Sequence, residues 1–462
     1  MTQLTTADKL AVVAGKLTAR AIRLLGAGLG SNLPGKLARK VAPTVMANLS
    51  QQARKGVIAV SGTNGKSTTS GLLSSILRCA GLELVHNKQG ANLVTGITST
   101  LIERSSWTGI LDADYCLFET DEAALRLIAR EVPMQQVVVT NLFRDQLDRF
   151  GELDTTAKLI AEGISQNNSQ AILNADDPNV SQLAPNSDRL FFGIESIKTQ
   201  PQPADKTETH GAELSYCPSC GAEISYTLIF YAQLGHWNCS KCGFTRPAPQ
   251  VSASDIVVGS HGSSFILKIH GRAAEAEVQL PGLFNVYNAL AAAAAASALG
   301  VTLEAVRQGL KRYQTLFGRS EKIRLKGKTV FIQLIKNPAG ASQAVSAVAA
   351  DPKSRLLVAI NDKLADGRDI SWLWDADFEQ LSAHGHQVVV SGIRAQDMAV
   401  RMKYAGFKSD KITTIPKLDE ALDHALNMVS EGETLWILPT YTCLLELQKI
   451  LRARGHLLAG TT

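Results

Sequence analysis

Short apolar runs separated by polar, glycine-bearing turns dominate the chain from residue 56 onward. Gly56–Ser61 (GVIAVS), Tyr115–Glu119 (YCLFE), 136–140 (QVVVT) and 171–174 (AILN) are apolar on both alternating faces. That pattern marks strands buried on both sides of a parallel sheet. A polar loop and a stretch of helical spacing follow these runs, as over 66–80 after the first. Alternating strands and helices predict a doubly wound α/β domain. An alanine-rich helix is predicted over 285–299, and apolar strands resume near Val330, Leu356, Val388 and Leu435. The second series predicts a separate C-terminal Rossmann-like α/β domain. Ahead of residue 56 the pattern differs: Leu10, Val13, Leu17, Ile22 and Leu25 alternate with basic residues, predicting an amphipathic helical segment. Polar, proline-bearing stretches at 200–209 and 247–254 bracket an insertion. The expected organisation is a basic segment over 1–55, a central domain over 56–318 interrupted at about 205–250, and a C-terminal domain over 319–462.

Composition narrows the class. With 462 residues, 45% hydrophobic and 19% charged, the chain can bury a large core, which excludes wholesale disorder. Its longest apolar run, 289–301, falls short of the roughly 20 residues that cross a bilayer. A secretory signal with an apolar centre and cleavage site is not seen at the N-terminus. A soluble, cytoplasmic protein is therefore expected. The net charge of +5 is too mild to imply nucleic acid. Its distribution is uneven, because nine Lys and Arg stand against Asp8 alone in residues 1–55. Two readings of this segment stay open: a helix with a solvated basic face, or contact with an anionic membrane surface or a lipid-linked substrate.

Four of the seven cysteines form one constellation. Cys217 and Cys220 are separated by eighteen residues from Cys239 and Cys242. Two C-x2-C turns present four thiolates to one tetrahedral ion, so a Zn²⁺ ribbon is expected. With all ligands cysteine, no position is open for water, and the metal is structural. The ribbon segment has Lys241 and Arg246 among its aromatics, basic charge too sparse for a nucleic-acid phosphate track. Cys79, Cys116 and Cys443 are scattered and read as small hydrophobes.

The sharpest chemical motif is Ser61-Gly62-Thr63-Asn64-Gly65-Lys66-Ser67-Thr68, between strand and helix. Its glycines bring backbone N–H groups to phosphate, and the helix N-terminus adds positive charge. Lys66 reaches the β/γ-phosphates and Ser67 ligates Mg²⁺. Val60 stands where the full P-loop pattern carries its first glycine, so the motif is a shortened variant.

This loop, with Thr140-Asn141-Leu142-Phe143-Arg144-Asp145, Leu173-Asn174-Ala175-Asp176-Asp177-Pro178, Gly282-Leu283-Phe284-Asn285-Val286-Tyr287-Asn288 and Phe317-Gly318-Arg319, resembles the Mur ligase and folylpolyglutamate synthase superfamily. The resemblance implies ATP-dependent amide-bond formation through a phosphorylated carboxylate. It assigns Glu119 to Mg²⁺, places Asp177, Asn285 and Asn288 near the nucleotide, and puts Arg319 in the interdomain hinge. Gln146 replaces a histidine that helps bind a second Mg²⁺ in amino-acid-adding relatives, and Lys158 lies near, but not at, their carbamylated lysine. Only about 55 residues precede the loop, too few for the domain that holds a UDP-linked sugar.

The ribbon, the segment Leu334-Ile335-Lys336-Asn337-Pro338 and the segment Asp366-Gly367-Arg368-Asp369-Ile370-Ser371-Trp372 resemble the MurT family, synthetase subunits of lipid II isoglutaminyl synthases. The implied reaction amidates the α-carboxylate of D-Glu in the lipid II stem peptide with ammonia from a GatD-type glutaminase partner. In that resemblance Asp369 completes the partner's catalytic triad, and Lys336 is a candidate for holding phosphate or the substrate carboxylate. Cys79, Cys116 and Cys443 lack a glycine-flanked nucleophile turn, so this chain is not expected to hydrolyse glutamine by itself. Another ligase of the superfamily, adding an amino acid in place of ammonia, is the alternative.

Overall fold

A computed structural model describes residues 4–24, 32–87, 90–143, 153–198, 216–259, 262–313, 319–349, 351, 353–382, 385–430 and 432–456. The strands are β1 (Gly56–Ser61), β2 (Leu84–His86), β3 (Tyr115–Glu119), β4 (Gln136–Val139), β5 (Gln170–Asn174), β6 (Arg189–Ile194), β7 (Ser225–Tyr231), β8 (Leu234–Asn238) and β9 (Val251–Val258). They continue as β10 (Ser263–Ile269), β11 (Arg272–Val278), β12 (Arg319–Leu325), β13 (Lys328–Gln333), β14 (Ser354–Ala359), β15 (Val388–Ser391), β16 (Ile412–Thr414) and β17 (Thr434–Pro439).

Nine strands form one sheet in the order β11-β10-β9-β6-β5-β4-β1-β3-β2. From β2 to β9 all pairings are parallel, and β9-β10-β11 close the edge antiparallel. Strand β1 shows why this sheet must be covered on both faces. Ile58 and Val60 enter one apolar cluster, Val57 and Ala59 the other, and all four are buried. Helix Leu283–Ala298 lies inside the first cluster, with every residue from Ala289 to Ala296 inaccessible to solvent. Its alanines allow backbone-close packing, which is why it is apolar all round instead of amphipathic.

A second, six-stranded sheet runs β12-β13-β17-β14-β15-β16, parallel except at the β12–β13 hairpin. It too is buried on both faces: Leu356 and Val358 pack on one side, Leu357 and Ala359 on the other. The four-Cys segment carries its own hairpin, β7–β8. Helices Thr6–Leu24, Leu33–Val41 and Val45–Ser50 precede β1, so among the described residues the basic segment is three helices and not one. No helix among the described residues is long and apolar enough to cross a membrane. In open parallel sheets the loops at the C-terminal strand ends form the ligand crevice. Here the loop after β1 faces the loop after β13, and the two sheets meet there.

Candidate functional site

The P-loop is shaped by two glycines where any side chain would be strained and crowded. Gly62 has φ 118° and Gly65 φ 85°. A Cβ on Gly62 would stand 2.4 Å from Thr140 Oγ1, and one on Gly65 only 2.0 Å from Asn288 Oδ1. Helix Lys66–Cys79 starts at once after this turn, so its free N–H groups and positive end point at the loop. Asn141 fixes the loop from the side: its Oδ1 accepts from Asn64 N at 2.8 Å and its Nδ2 donates to Asn64 O at 3.1 Å.

Lys66 is buried, its ammonium donating to Gly62 O at 2.6 Å and to Glu122 Oε1 at 2.7 Å. Burial works against that charge, but the Glu122, Asp121 and Glu119 carboxylates together outweigh it and the pKa is raised. Ser67 Oγ donates to Glu119 Oε2 at 2.6 Å, so the two residues expected to share Mg²⁺ already touch. Asn87 clamps Glu119 from behind, accepting from its N–H and donating to its carbonyl, both at 2.8 Å. On the neighbouring helix Asn288 Nδ2 donates to Asn285 Oδ1 at 3.1 Å, and Thr69 Oγ1 donates to Asn288 Oδ1 at 3.3 Å.

A cleft of about 380 Å³ opens between the two sheets. Thr63, Asn64, Gly65, Lys66, Thr68, Glu119, Asn285 and Asn288 line it from one side and Lys336 and Asp366 from the other. Asn64 and Asn337 bridge it with a reciprocal amide pair, at 3.2 and 3.0 Å. Arg319 begins β12 opposite Gln333, itself a cleft residue; the Arg319 side chain and all of Gln146 lie outside the described residues.

Asp177 and Asp369, both expected at functional sites, do not line the cleft, and neither does Lys158. Asp177 is fully buried and caps helix Pro178–Ser181, accepting from Asn179 N at 3.0 Å and from Leu142 N at 2.8 Å. Burial pushes its carboxyl up to about 7 against those backbone donors. It supports the Asn141-Leu142 segment that holds the P-loop. Asp369 is half-buried with Oδ1 accepting from Ser371 N at 2.8 Å, and Lys158 is exposed on helix Leu153–Ser165. Glu122, Asn87 and Asn337 were not singled out in the sequence. The spacing of Glu122 after Glu119, at the end of a strand beside a P-loop, was the available signal.

Cys217, Cys220, Cys239 and Cys242 come together with all four Sγ atoms within 4.8 Å of one another. Sγ of Cys217 lies 3.7 Å from that of Cys242, and Sγ of Cys220 lies 3.6 Å from that of Cys239. Tetrahedral Zn²⁺ with bonds of about 2.3 Å needs sulfurs about 3.8 Å apart, so the donor set fits. Each knuckle turns on a glycine: Gly221 N donates to Cys217 O, and Gly243 N to Cys239 O. Backbone N–H groups, that of Cys242 first, hold the Cys239 thiol down to about 7, while against the Ala222 N–H, burial and the neighbouring thiols push Cys220 up to about 11.

The hairpin beside this cluster docks on the nucleotide-side loops. Gln233 Nε2 donates to Leu142 O at 2.8 Å, Gly235 N to Asp176 O at 3.0 Å and Trp237 Nε1 to Ala175 O at 3.1 Å. Tyr231, at the hairpin tip, packs against Phe143 and Tyr287 at centroid distances of 5.7 and 5.8 Å and lines the cleft.

Residues 60–230 and 220–296 match the Mur ligase middle domain, and residues 334–444 match the MurT ligase C-terminal domain. The subunit MurT of the glutamine-hydrolyzing lipid II isoglutaminyl synthase from Staphylococcus aureus (strain N315) is 35% identical over 94% of this chain and 95% of its own length. The chain belongs to the MurT family. The Streptococcus pneumoniae (strain ATCC BAA-255 / R6) MurT subunit is also 35% identical, over 92% of this chain and 93% of its own. Among solved structures, a pseudomurein peptide ligase type C from Methanothermus fervidus superposes with TM-score 0.68 at 25% identity, covering 88% of this chain and 80% of that one. A Mycobacterium tuberculosis folylpolyglutamate synthase superposes with TM-score 0.61 at 16% identity, over 96% and 100% of the two chains, a likeness of fold. The MurT-family chain thus has the Mur ligase fold and is a ligase of peptidoglycan synthesis.

Proposed function

We propose that this MurT-family chain is the ATP-dependent synthetase that amidates the α-carboxylate of D-Glu in the lipid II stem peptide, acting at the cytoplasmic face of the membrane. The observation that carries the reading is the two-sided cleft, in which the P-loop faces Lys336 and Asn337 of the MurT-type C-terminal domain.

A carboxylate resists amines because its leaving group would be oxide. Bound ATP supplies the phosphoryl group that removes this obstacle: a carboxylate oxygen attacks the γ-phosphorus, ADP departs and an acyl phosphate results. Ammonia then adds to the carbonyl carbon, phosphate leaves with the former carboxylate oxygen, and a proton is lost. Within this scheme the P-loop N–H groups cradle phosphate, and Lys66 turns from Glu122 toward the transferred group. Ser67 and Glu119 hold Mg²⁺, Asn285 and Asn288 position the nucleotide, and Lys336 meets the substrate carboxylate or phosphate. Arg319 joins when the two sheets close on substrate.

The ammonia is supplied by a GatD-type glutaminase subunit. Burial pushes the thiols of Cys116 and Cys443 up to about 12, so neither offers the thiolate that glutamine hydrolysis requires. Asp369, half-buried and outside the cleft lining, is the carboxylate this reading assigns to the partner's triad.

Product mass decides the reading. Lipid II, ATP and Mg²⁺ are incubated with the chain plus ammonium, or with the chain, the partner and glutamine, and the chain with glutamate alone is the control. Replacement of a hydroxyl by an amino group, with stoichiometric ADP, is expected in both. Unchanged lipid II accompanied by glutamate-dependent ADP release would point to an amino-acid-adding ligase and overturn the assignment.

A further inference from the structure

Helices Thr6–Leu24 and Leu33–Val41 invert the usual distribution of side-chain size between interior and solvent. On the first, Ala11, Val12, Gly15 and Ala19 are buried, while Leu10, Leu17 and Leu24 are 59%, 55% and 88% exposed. Spacing by seven sets the three leucines in one stripe, opposite the buried positions. On the second, Pro34, Gly35 and Ala38 are buried, while Leu33, Leu37 and Val41 are exposed at every fourth position.

The interior demands small residues. A Cβ on Gly15 would lie 3.0 Å from Ile102 Cδ1, and one on Gly35 only 2.0 Å from the Thr95 carbonyl oxygen. Both contacts fall on helix Val94–Arg104, so the pair is seated tightly on the central domain, and its largest aliphatic side chains point out. Lys9, Arg20, Lys36 and Lys40 are exposed on the same two helices, and Arg20 lies 4.7 Å over the ring of Trp107, itself exposed. Asp8, the one acidic residue of the segment, is buried and bonded to Thr5 and Asn48.

We propose that this face docks on an anionic lipid bilayer, with the two aliphatic stripes at the headgroup–acyl boundary and Lys9, Arg20, Lys36 and Lys40 at lipid phosphates. Aliphatic side chains interspersed with lysines suit that interface. Protein–protein interfaces, by contrast, are depleted in lysine. The proposal rests on the lipid II reading for its purpose, since it brings the cleft to a lipid-linked substrate.

The test is flotation of the full chain with vesicles of phosphatidylcholine alone or mixed with phosphatidylglycerol, neither containing lipid II. Binding to the mixed vesicles, weakened by salt, is expected. Leu17→Glu with Leu37→Glu should lower it at least about tenfold, and Lys36→Ala with Lys40→Ala by about fivefold per charge. The melting temperature and nucleotide affinity of these variants should match the parent. Absence of binding to either vesicle overturns the proposal. So does a parent chain that is dimeric in solution and made monomeric by the leucine substitutions, because a second copy then covers the face. Because the vesicles lack substrate, flotation without lipid II amidation sinks the functional reading alone, and amidation without flotation sinks the docking surface alone.

Discussion

The carboxylate of Asp176 lies 2.6 Å from Arg246 Nε, with no solvent reaching the aspartate. Its other oxygen accepts from Tyr287 O–H at 2.7 Å and Ile194 N at 2.8 Å. One buried charge therefore joins the loop after β5, the chain leaving the four-Cys cluster, and the helix that lines the cleft. Removing the cation strands that charge. Arg246→Met is expected to destabilise the protein by about 3–5 kcal/mol, as loss of one partner from a buried pair does. Arg246→Lys should cost less. Chemical denaturation monitored by tryptophan fluorescence measures both, and a change within about 0.5 kcal/mol for Arg246→Met would show the pair to be dispensable.

The hairpin contacts extend this coupling to metal. Tyr231 lines the cleft and Gln233 holds Leu142, next to the Asn141 that binds the P-loop. About one Zn²⁺ per chain is expected by elemental analysis. Stripping it with a chelator, or substituting the exposed Cys242→Ser, should loosen the hairpin and weaken ATP-analogue binding by about tenfold, an effect of order 1.4 kcal/mol. Titration calorimetry reads this directly. Unchanged affinity in a demonstrably zinc-free protein would confine the ribbon to a role away from the cleft.

Gly65→Ala should abolish nucleotide binding with little loss of fold. The backbone at φ 85° costs about 1–2 kcal/mol with a side chain, and the new methyl would meet Asn288 Oδ1 at 2.0 Å. Because Asn288 itself lines the cleft, both the loop and its neighbour shift. Binding of the ATP analogue falling below detection, with the melting temperature within a few degrees of the parent, is the expected result. Parent-like affinity would mean that the loop does not cradle phosphate in this conformation.

Local chemistry was legible in the sequence wherever it is local in space. The P-loop, the paired C-x2-C turns and the doubly buried strands β1, β3 and β4 each declare themselves within a few consecutive residues. What stayed hidden depends on contacts between distant positions. Asn64 meets Asn337 across 273 residues, and Gln233 meets Leu142 across 91, with nothing in either neighbourhood to announce the partner. Asp177 shows the converse. Its motif suggested a place at the nucleotide, yet an aspartate before proline is also a good helix cap, and the geometry uses it so. The N-terminal segment was readable as basic and amphipathic; that its leucines face outward follows only from the tight seating of Gly15 and Gly35.

His86 supplies a pH signature. Burial pushes its imidazole down to about 4, and Nε2 has no hydrogen-bond partner among the described residues. The unfolded chain takes up this proton near pH 6.5, before the folded one does. The contribution is thus fully present above about 6.5 and is lost progressively as pH falls toward 4, by up to about 3 kcal/mol. Subtracting the stability curve of His86→Gln from that of the parent isolates it. The difference should be flat above about pH 6.5 and shift against the parent on acidification; a difference flat throughout would show that His86 titrates normally.

Asparagine substitutions at Asp369 and Asp366 distinguish the proposed partner role of the first from the fold-supporting role of the second. Asp369 Oδ1 accepts from Ser371 N, and an asparagine carbonyl at that place can accept the same bond. Asp366 is buried, with Oδ1 accepting from Thr442 N and Oδ2 from both Thr442 Oγ1 and Lys363 N. An amide nitrogen there would face donors whichever way it turned. Asp366→Asn is therefore expected to lower the melting temperature and to reduce ammonium-driven and glutamine-driven amidation alike. Asp369→Asn should leave melting and ammonium-driven amidation at parent levels. With the glutaminase partner, loss of the charge that orients and stabilises a catalytic imidazolium should cut glutamine-driven amidation by about 10³-fold or more. Equal activity of Asp369→Asn with both nitrogen sources would remove this residue from the partner's chemistry, and a parallel loss of both would make it a residue of the synthetase cleft.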